Sequence, residues 1–487
     1  MRKLQRQLDG NGERYLMLVF YCFIVFVIVI EVVRRFLLDF SSLWGEEAAR
    51  FAFIYLGWVG ASYGVKQRPH IRFDVLLLLF LAVPFWVALG LGTIVLLLST
   101  GALPLSLLGE ALFQGVDSFA LIAIPLFVLT GDVMVRSGLA HKLLDFAEAI
   151  TGSLRSGFGT STVPGCGFFA CISGSDAADA AAIGRITMAR LVELGYPKPY
   201  ACALVASGAC TGILIPPSIA YIILGLVLGI SSSTLFVAAA IPGVLVLLGV
   251  VFTNVVMNRL NGYENSHHRF SWGRWLSALN AAKWALSVPF IILGGVYSGI
   301  FTPTESAALA VAASLLVGLV QGRIRLKDFP AMLETSARVN GVILPIIGVA
   351  MLFAQALTVL DVPQNFVHAL TSITNSPSAL ILLMLATFII AGMFMETTPN
   401  IVILAPLLYP VAKAIGMDQI HFCVFMITSL GLGFITPPMG LNLFVMSGLT
   451  RTPVMAIARR AIPFGITMVG ISILVGFVPT LSLWALR

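Results

Sequence analysis

Along this chain the apolar residues neither alternate with polar ones nor recur at amphipathic helical spacing. They run on almost unbroken. The long runs are Tyr15–Leu38, Phe51–Val65, Val75–Thr100, Leu121–Val135, Tyr200–Leu228, Leu235–Val256, Trp284–Tyr297, Ser306–Leu319, Val342–Leu360, Ala379–Met395, Ile401–Ala414, Phe422–Phe434 and Ala461–Trp484. Transmembrane β-strands would alternate apolar and polar residues. Helices satisfy their own backbone hydrogen bonds in lipid and tolerate continuous apolar sequence. A span needs about 20 such residues. Some runs are shorter than that, and others are broken by Gly and Pro. The pattern therefore predicts an all-α polytopic membrane protein with roughly eleven to fourteen membrane segments, several of them discontinuous or re-entrant.

Composition agrees. The 487 residues are 59% hydrophobic and 10% charged, with a mean hydropathy of +0.99. A soluble chain carries about 25% charged residues, so a soluble enzyme, a disordered chain and a fibre are excluded. The net charge of +7 needs no nucleic acid, because membrane proteins gather Lys and Arg in cytoplasmic loops. Arg2, Lys3, Arg6 and Arg14 precede the first run, and Lys66, Arg68 and Arg72 follow the second. Both stretches read as cytoplasmic, which puts the N-terminus inside and the acidic Asp39–Glu47 outside. Arg136–Arg155, Arg185–Lys198, Asn258–Arg274, Gly322–Arg338 and Arg451–Arg460 are the other polar stretches. Gly322–Arg338 and Asn258–Arg274 read as solvated loops and interfacial helices, and Asn258–Arg274 links two inverted repeats, about 75–257 and 275–487. The first run is long and lacks a small-residue cleavage site, so it reads as a retained helix rather than a signal peptide. The six cysteines form no CxxC pair and read as buried free thiols.

Two elements repeat. Gly212–Pro217 reads G-I-L-I-P-P and Gly433–Pro438 reads G-F-I-T-P-P, 221 residues apart. About 40 residues before each, a polar interruption breaks the apolar sequence. In the first half it is Ser173-Gly174-Ser175-Asp176, with Asp179 after it. In the second it is Met395-Glu396-Thr397-Thr398-Pro399-Asn400. A double proline removes two backbone donors and clashes with the preceding turn, so a helix must break there. Freed carbonyls in lipid persist only where they are buried in protein or line a cavity. Carbonyls with nearby hydroxyls suit a small hard cation, and the following half-helix N-terminus suits an anion.

Individual residues leave alternatives open. Charges at membrane depth are costly and mark function, which favours Asp179, Asp176 and Glu396. Helix capping for the two aspartates, or a solvated loop for Glu396, is the plain alternative. Glu305 either serves function or completes a capping box with Thr302. Trp44, Glu46 and Glu47 read as an outer interfacial anchor or a partner contact. The histidines show no pair at four-residue spacing inside a span, which argues against a haem or metal centre. No GxxxxGK[ST] signature is present, so a P-loop ATPase is excluded. Nothing points to an enzyme.

The motifs D-S-F-A-L-I-A-I-P-L-F-V-L-T-G (Asp117–Gly131), S-G-S-D-A-A-D (Ser173–Asp179), I-P-P-S-I-A (Ile215–Ala220), G-I-F-T-P-T-E-S-A (Gly299–Ala307) and T-P-P-M-G-L-N-L-F (Thr436–Phe444) occur in this order. Together they resemble the large membrane subunit of the tripartite ATP-independent periplasmic (TRAP) transporters over residues 75–487. Residues 1–74 resemble the front of the small subunit, through Trp44–Arg50 and Arg68–Asp74. They supply two helices where that subunit has four. The resemblance implies an elevator-type, sodium-coupled importer of an organic acid in the bacterial inner membrane, fed by a periplasmic substrate-binding protein. A separate small permease subunit is a further implied partner, and sodium ions are the coupling ions in place of any cofactor. By position, the first sodium site would use Ser173, Gly212, Ile215 and Pro216. The second would use Gly392, Gly433, Thr436 and Met439. Substrate would lie among Ser175, Asp179 and Glu396. Ala170 stands where some relatives carry a serine, and Glu396 where many carry an aspartate. The motifs around Pro438 and Glu396 look closer to dicarboxylate-type than to sialic-acid-type subunits. An incomplete scaffold subunit without transport of its own, or another broken-helix secondary transporter, are the rival readings.

Overall fold

The computed structural model describes residues 85–101, 119–153, 156–264, 271–374, 376–438 and 440–484. The expected first two helices, Trp44, Glu46, Glu47 and Met439 lie outside the described residues. The chain divides into two compact units, residues 1–117 with 345–362, and residues 118–344 with 363–487. In the smaller unit, the described helix Phe85–Thr100 approaches the later part of the Phe329–Val359 helix. A Cβ on Gly90 would lie 3.1 Å from Val349 Cγ2. The buried Thr93 hydroxyl donates to its own helix at the Leu89 carbonyl, 2.7 Å away, so no polar hydrogen is left unpaired in an apolar face.

The larger unit is built on one motif used twice. A helical hairpin comes first, then a helix broken at the double proline, then one long helix. In the first half the hairpin arms are Gly157–Ser173 and Asp176–Glu193. The broken helix is Lys198–Ala209, a tight turn at Cys210–Ile213, and Ile219–Leu228. Ser232–Asn261 follows. In the second half the hairpin arms are Pro377–Phe394 and Thr397–Ala414, the broken helix Gln419–Gly433 and Leu441–Thr450, and the long helix Val454–Phe477. The two halves interlock. Lys198–Ala209 packs against Leu441–Thr450 and Val454–Phe477, and Ile219–Leu228 packs against Thr397–Ala414. Asn442 ties them further by donating to the Ala206 carbonyl at 3.2 Å.

Around this core lie Ala123–Arg136 and Leu139–Thr151, bent by 77° to one another, with Trp272–Tyr297, Pro303–Val320 and Val362–Ile373. Among the described residues, five helices are long and apolar enough to cross a membrane unaided. The hairpin arm Pro377–Phe394 is one of these five, and the shorter apolar helices include the half-helices Ile219–Leu228, Gln419–Gly433 and Leu441–Thr450. Helix ends follow local rules. The Asp418 carboxylate accepts from the Ile420 and His421 N–H groups at 2.8 and 3.3 Å, satisfying donors that a helix start leaves over. Thr302 and Glu305 form the capping box, with Glu305 Oε2 accepting from Thr302 N at 2.7 Å. Glu305 therefore has the structural role of its two alternatives.

The described start of the Asn258–Arg274 stretch is not fully solvated: Glu264 is only 2% exposed. Its carboxylate accepts from Phe158 N at 3.0 Å, Gly159 N at 3.2 Å and Tyr196 Oη at 2.9 Å. It thereby caps the start of the first hairpin with a negative charge, which the helix dipole favours. Asn258 holds the Glu264 backbone through both its amide atoms, each at 2.9 Å.

Candidate functional site

The first hairpin turns at Gly174 and Ser175. Gly174 has φ 62°, and a Cβ there would stand 2.9 Å from the Pro217 carbonyl oxygen. Glycine is needed on both counts. Ser175 is the N-cap of the second arm, its Oγ accepting from Ala178 N at 3.5 Å. Asp176 and Asp179 fill the first turn and are 4% and 0% exposed. Ser173 Oγ donates to Asp179 Oδ1. The other carboxylate oxygen of each aspartate is buried with no hydrogen-bond partner among the described residues. Such an oxygen is costly unless something positive or hydrogen-donating meets it.

The broken helix closes over this turn. A Cβ on Gly212 would lie 2.7 Å from Asp179 Oδ2 and 2.9 Å from the Asp176 nitrogen. Pro216 and Pro217 remove the donors that an α-helix would offer to the Gly212 and Ile213 carbonyls. Ser218 Oγ recaptures Ile213 O at 2.7 Å. Beyond the prolines, Ile219 N donates to the Gly174 carbonyl at 3.2 Å, fastening the broken helix to the hairpin tip.

The second half repeats this arrangement with different side chains. A Cβ on Gly433 would lie 2.5 Å from the Gly392 carbonyl carbon and 2.8 Å from the Ile389 oxygen. Pro437 and Pro438 remove the donors due to Gly433 and Phe434. Thr436 N takes the Gly433 carbonyl at 3.0 Å, and Asn442 N takes that of Phe434 at 3.1 Å. Gly440 N donates to the Met393 carbonyl at 3.3 Å, the counterpart of the Ile219–Gly174 bond. Thr436 Oγ1 spends its hydrogen on Leu432 O at 2.8 Å, which leaves its lone pairs outward.

Asn400 occupies the place of Asp179, 221 residues on. It is also 0% exposed, and its Nδ2 donates to Met395 O at 2.9 Å and Ala391 O at 3.4 Å. Its Oδ1 is buried without a partner among the described residues. Sequence reasoning did not single it out as a site residue, although the 221-residue offset from Asp179 points to it.

A cavity of about 460 Å³ opens where the hairpin tips meet. Ser173, Gly174, Ser175 and Asp176 line it from the first hairpin, Glu396, Thr397 and Thr398 from the second, and Val128, Gly131 and Asp132 from the Ala123–Arg136 helix. Ser175 and Glu396 thus share one space. Asp179 does not: it lies behind the turn, against Gly212. Ser173, Gly212, Ile215 and Pro216 belong to the first hairpin–helix junction. Gly392, Gly433 and Thr436 belong to the second. Among the described residues no three His, Cys, Asp or Glu side chains converge as a transition-metal site would require.

Residues 74–481 match the family described as "Tripartite ATP-independent periplasmic transporter, DctM component". The chain belongs to this family. Among its relatives is the C4-dicarboxylate TRAP transporter large permease protein DctM of Pseudomonas aeruginosa, 38% identical over 76% of this chain and 87% of that one. The sialic acid TRAP transporter large permease protein SiaM of Vibrio cholerae is 30% identical over 83% of this chain and 95% of its own length. The isethionate TRAP transporter permease protein DctMQ of Oleidesulfovibrio alaskensis is 33% identical over 84% of this chain; the match spans 64% of that longer protein. These relatives are named as permeases, not enzymes. Two solved transporters share the fold at low identity. The Alcanivorax borkumensis YdaH transporter has TM-score 0.58 at 15% identity over 83% of this chain and 98% of that one. Neisseria gonorrhoeae MtrF has TM-score 0.55 at 13% identity over 78% of this chain and 83% of that one. Family membership and the apolar helices make this a multi-pass inner-membrane protein.

Proposed function

We propose that this chain imports a small organic acid across the bacterial inner membrane, driven by sodium. The observation that carries the reading is the pair of matched junctions. In each, a hairpin tip is fastened to a broken helix, and a buried polar oxygen, on Asp179 or Asn400, is left for a ligand. A sodium ion at the first junction would draw on Ser173, Gly212, Ile215 and Pro216. At the second it would draw on Gly392, Gly433, Thr436 and Met439. Asp179 is assigned to the ion side, because it is shielded from the cavity. Substrate would then meet Ser175 and Glu396 at the tips.

The coupling logic is electrostatic. Asp176 and Glu396 line the cavity and repel an organic anion until cations compensate them. Sodium also bridges groups on hairpin and broken helix, so its binding would order both tips and complete the substrate site. The tips and broken helices would move together as the carrier of an elevator. A periplasmic binding protein would deliver substrate, a small permease subunit would complete the complex, and the N-terminus would face the cytoplasm. A dicarboxylate is favoured by the DctM relatives.

The test is uptake of labelled organic acids by proteoliposomes holding the chain with its cognate binding protein. We expect uptake that needs both an inward sodium gradient and the binding protein. Uptake indifferent to sodium would sink the coupling, and uptake without the binding protein would sink the delivery step.

A further inference from the structure

The cavity is lined by Asp176 and Glu396 at the hairpin tips, by Asp132 on the Ala123–Arg136 helix, and by a single basic side chain among the described residues, Arg185. In the sequence Arg185 opens the polar stretch Arg185–Lys198. In the structure it lies inside the second hairpin arm, Asp176–Glu193. Ser175, Ala178, Ala181, Ala182 and Arg185 all line the cavity. Their three- and four-residue steps keep them on one face of the helix. The alanines leave the wall between hydroxyl and guanidinium without bulk. Ser175 and Arg185 are roughly 15 Å apart along the axis at 1.5 Å per residue. Helical side chains lean toward the N-terminus, so the long Arg185 side chain shortens that span toward Ser175.

Among the described residues Arg185 is also uncommitted. Arg190, one and a half turns on, is held by Glu148 through two bonds of 2.7 and 2.6 Å and lies 4.0 Å over the Phe158 ring. On the facing wall, Asp132 is engaged by Arg136 Nε at 2.8 Å. Among the described residues Arg185 has neither an ion pair nor a ring beneath it. A guanidinium is always charged and presents a planar fork that fits an oxyanion.

The geometry points to Arg185 as the anchor for the anionic head group of the substrate, a small carboxylate or sulfonate held between the guanidinium and the hairpin tips. This deepens the reading under Proposed function and rests on it. Sodium compensates the carboxylates only while bound. Arg185 is charged permanently, and so orients the ligand and selects for charge.

The test places one cysteine in the cavity, Ala178→Cys, in the full chain. The five described native cysteines are buried and give a low background. Labelling rates are compared for a small anionic reagent, 2-sulfonatoethyl methanethiosulfonate, and its neutral analogue methyl methanethiosulfonate, in saturating sodium. Adding Arg185→Gln should lower the anionic-to-neutral rate ratio at least tenfold, and Arg185→Lys should restore most of it. Succinate, malate, acetate or 2-hydroxyethanesulfonate at millimolar concentration should slow neutral labelling, and that protection should vanish in Arg185→Gln. An unchanged ratio, or no protection by any of the four acids, overturns the assignment. Gel filtration separates misfolding from loss of charge, and the lysine variant tests charge again in a folded background. Sodium-driven uptake by the unsubstituted chain is measured alongside. Its failure sinks the transport reading, while the labelling ratio reports on Arg185 by itself.

Discussion

Gly433→Ala is the sharpest perturbation of the second junction. The new methyl would stand 2.5 Å from the Gly392 carbonyl carbon, 2.6 Å from its Cα and 2.8 Å from the Ile389 oxygen. All three are backbone atoms, so no rotamer change relieves the clash. Carbon atoms pack at about 3.5–4.0 Å, so the Pro377–Phe394 arm must retreat by about 1 Å. Overpacking of this kind costs about 1–3 kcal/mol, which a protein of this size survives. The same retreat pulls apart groups proposed to hold one sodium ion, Gly392 on the hairpin and Gly433 with Thr436 on the broken helix. The assay is thermal unfolding of the purified protein across a sodium titration. A bound ion stabilises by RT ln(1 + [Na⁺]/Kd), about 2.7 kcal/mol at a hundredfold excess over Kd. A tenfold weaker site gives up about 1.4 kcal/mol of that. We therefore expect lower stability without sodium and, separately, a smaller increment from sodium. Gly448→Ala is the control, since a Cβ there meets nothing within 4 Å. If Gly433→Ala lowers the baseline but keeps the full sodium increment, the glycine pair is a packing contact and the ion-site argument fails.

Three further predictions follow from other contacts. Glu264→Ala leaves the Phe158, Gly159 and Tyr196 donors without their acceptor; each unmet donor costs about 1–3 kcal/mol, so thermal unfolding in detergent should show a loss of at least about 2 kcal/mol, with Glu264→Gln milder. Asn400→Asp sets a carboxylate against the Met395 and Ala391 carbonyls that the amide now serves; hydrogen exchange across residues 393–400 in sodium-free buffer should speed up, and unchanged exchange would contradict the geometry. Thr302→Ala removes an exposed capping box and should cost about 1 kcal/mol while leaving the sodium titration and uptake as they were; a changed titration would mean that this helix start takes part in the site.

Much of this architecture is written in local sequence, because its causes are local. Runs of apolar residues become helices in lipid wherever they occur, since the backbone has no other partner there. Pro216-Pro217 and Pro437-Pro438 break their helices because proline lacks a donor, whatever surrounds it. Thr302 and Glu305 cap a helix across three residues, and the 221-residue repeat needs only the chain's own comparison with itself. These features bring Ser173, Ser175, Gly212, Gly433 and Thr436 to notice from the residues themselves, and the family resemblance adds Gly392.

Other roles depend on distant partners and are not legible that way. Asp179 and Glu396 look alike as isolated acids in apolar sequence. Packing puts Asp179 behind a turn against Gly212 and leaves Glu396 on the cavity. Arg185 and Glu264 both fall in polar stretches of the sequence. The fold turns one toward the cavity and buries the other under the first hairpin. The 221-residue offset pairs Asn400 with Asp179, but that its Oδ1 is buried without a partner among the described residues shows only in the fold. The sequence by itself determined the membrane, the breaks and the repeat, because each arises from covalent neighbours. Which charges face ligand, which face helix ends and which meet across the two halves was decided by tertiary packing, because burial and pairing act between residues far apart in the chain.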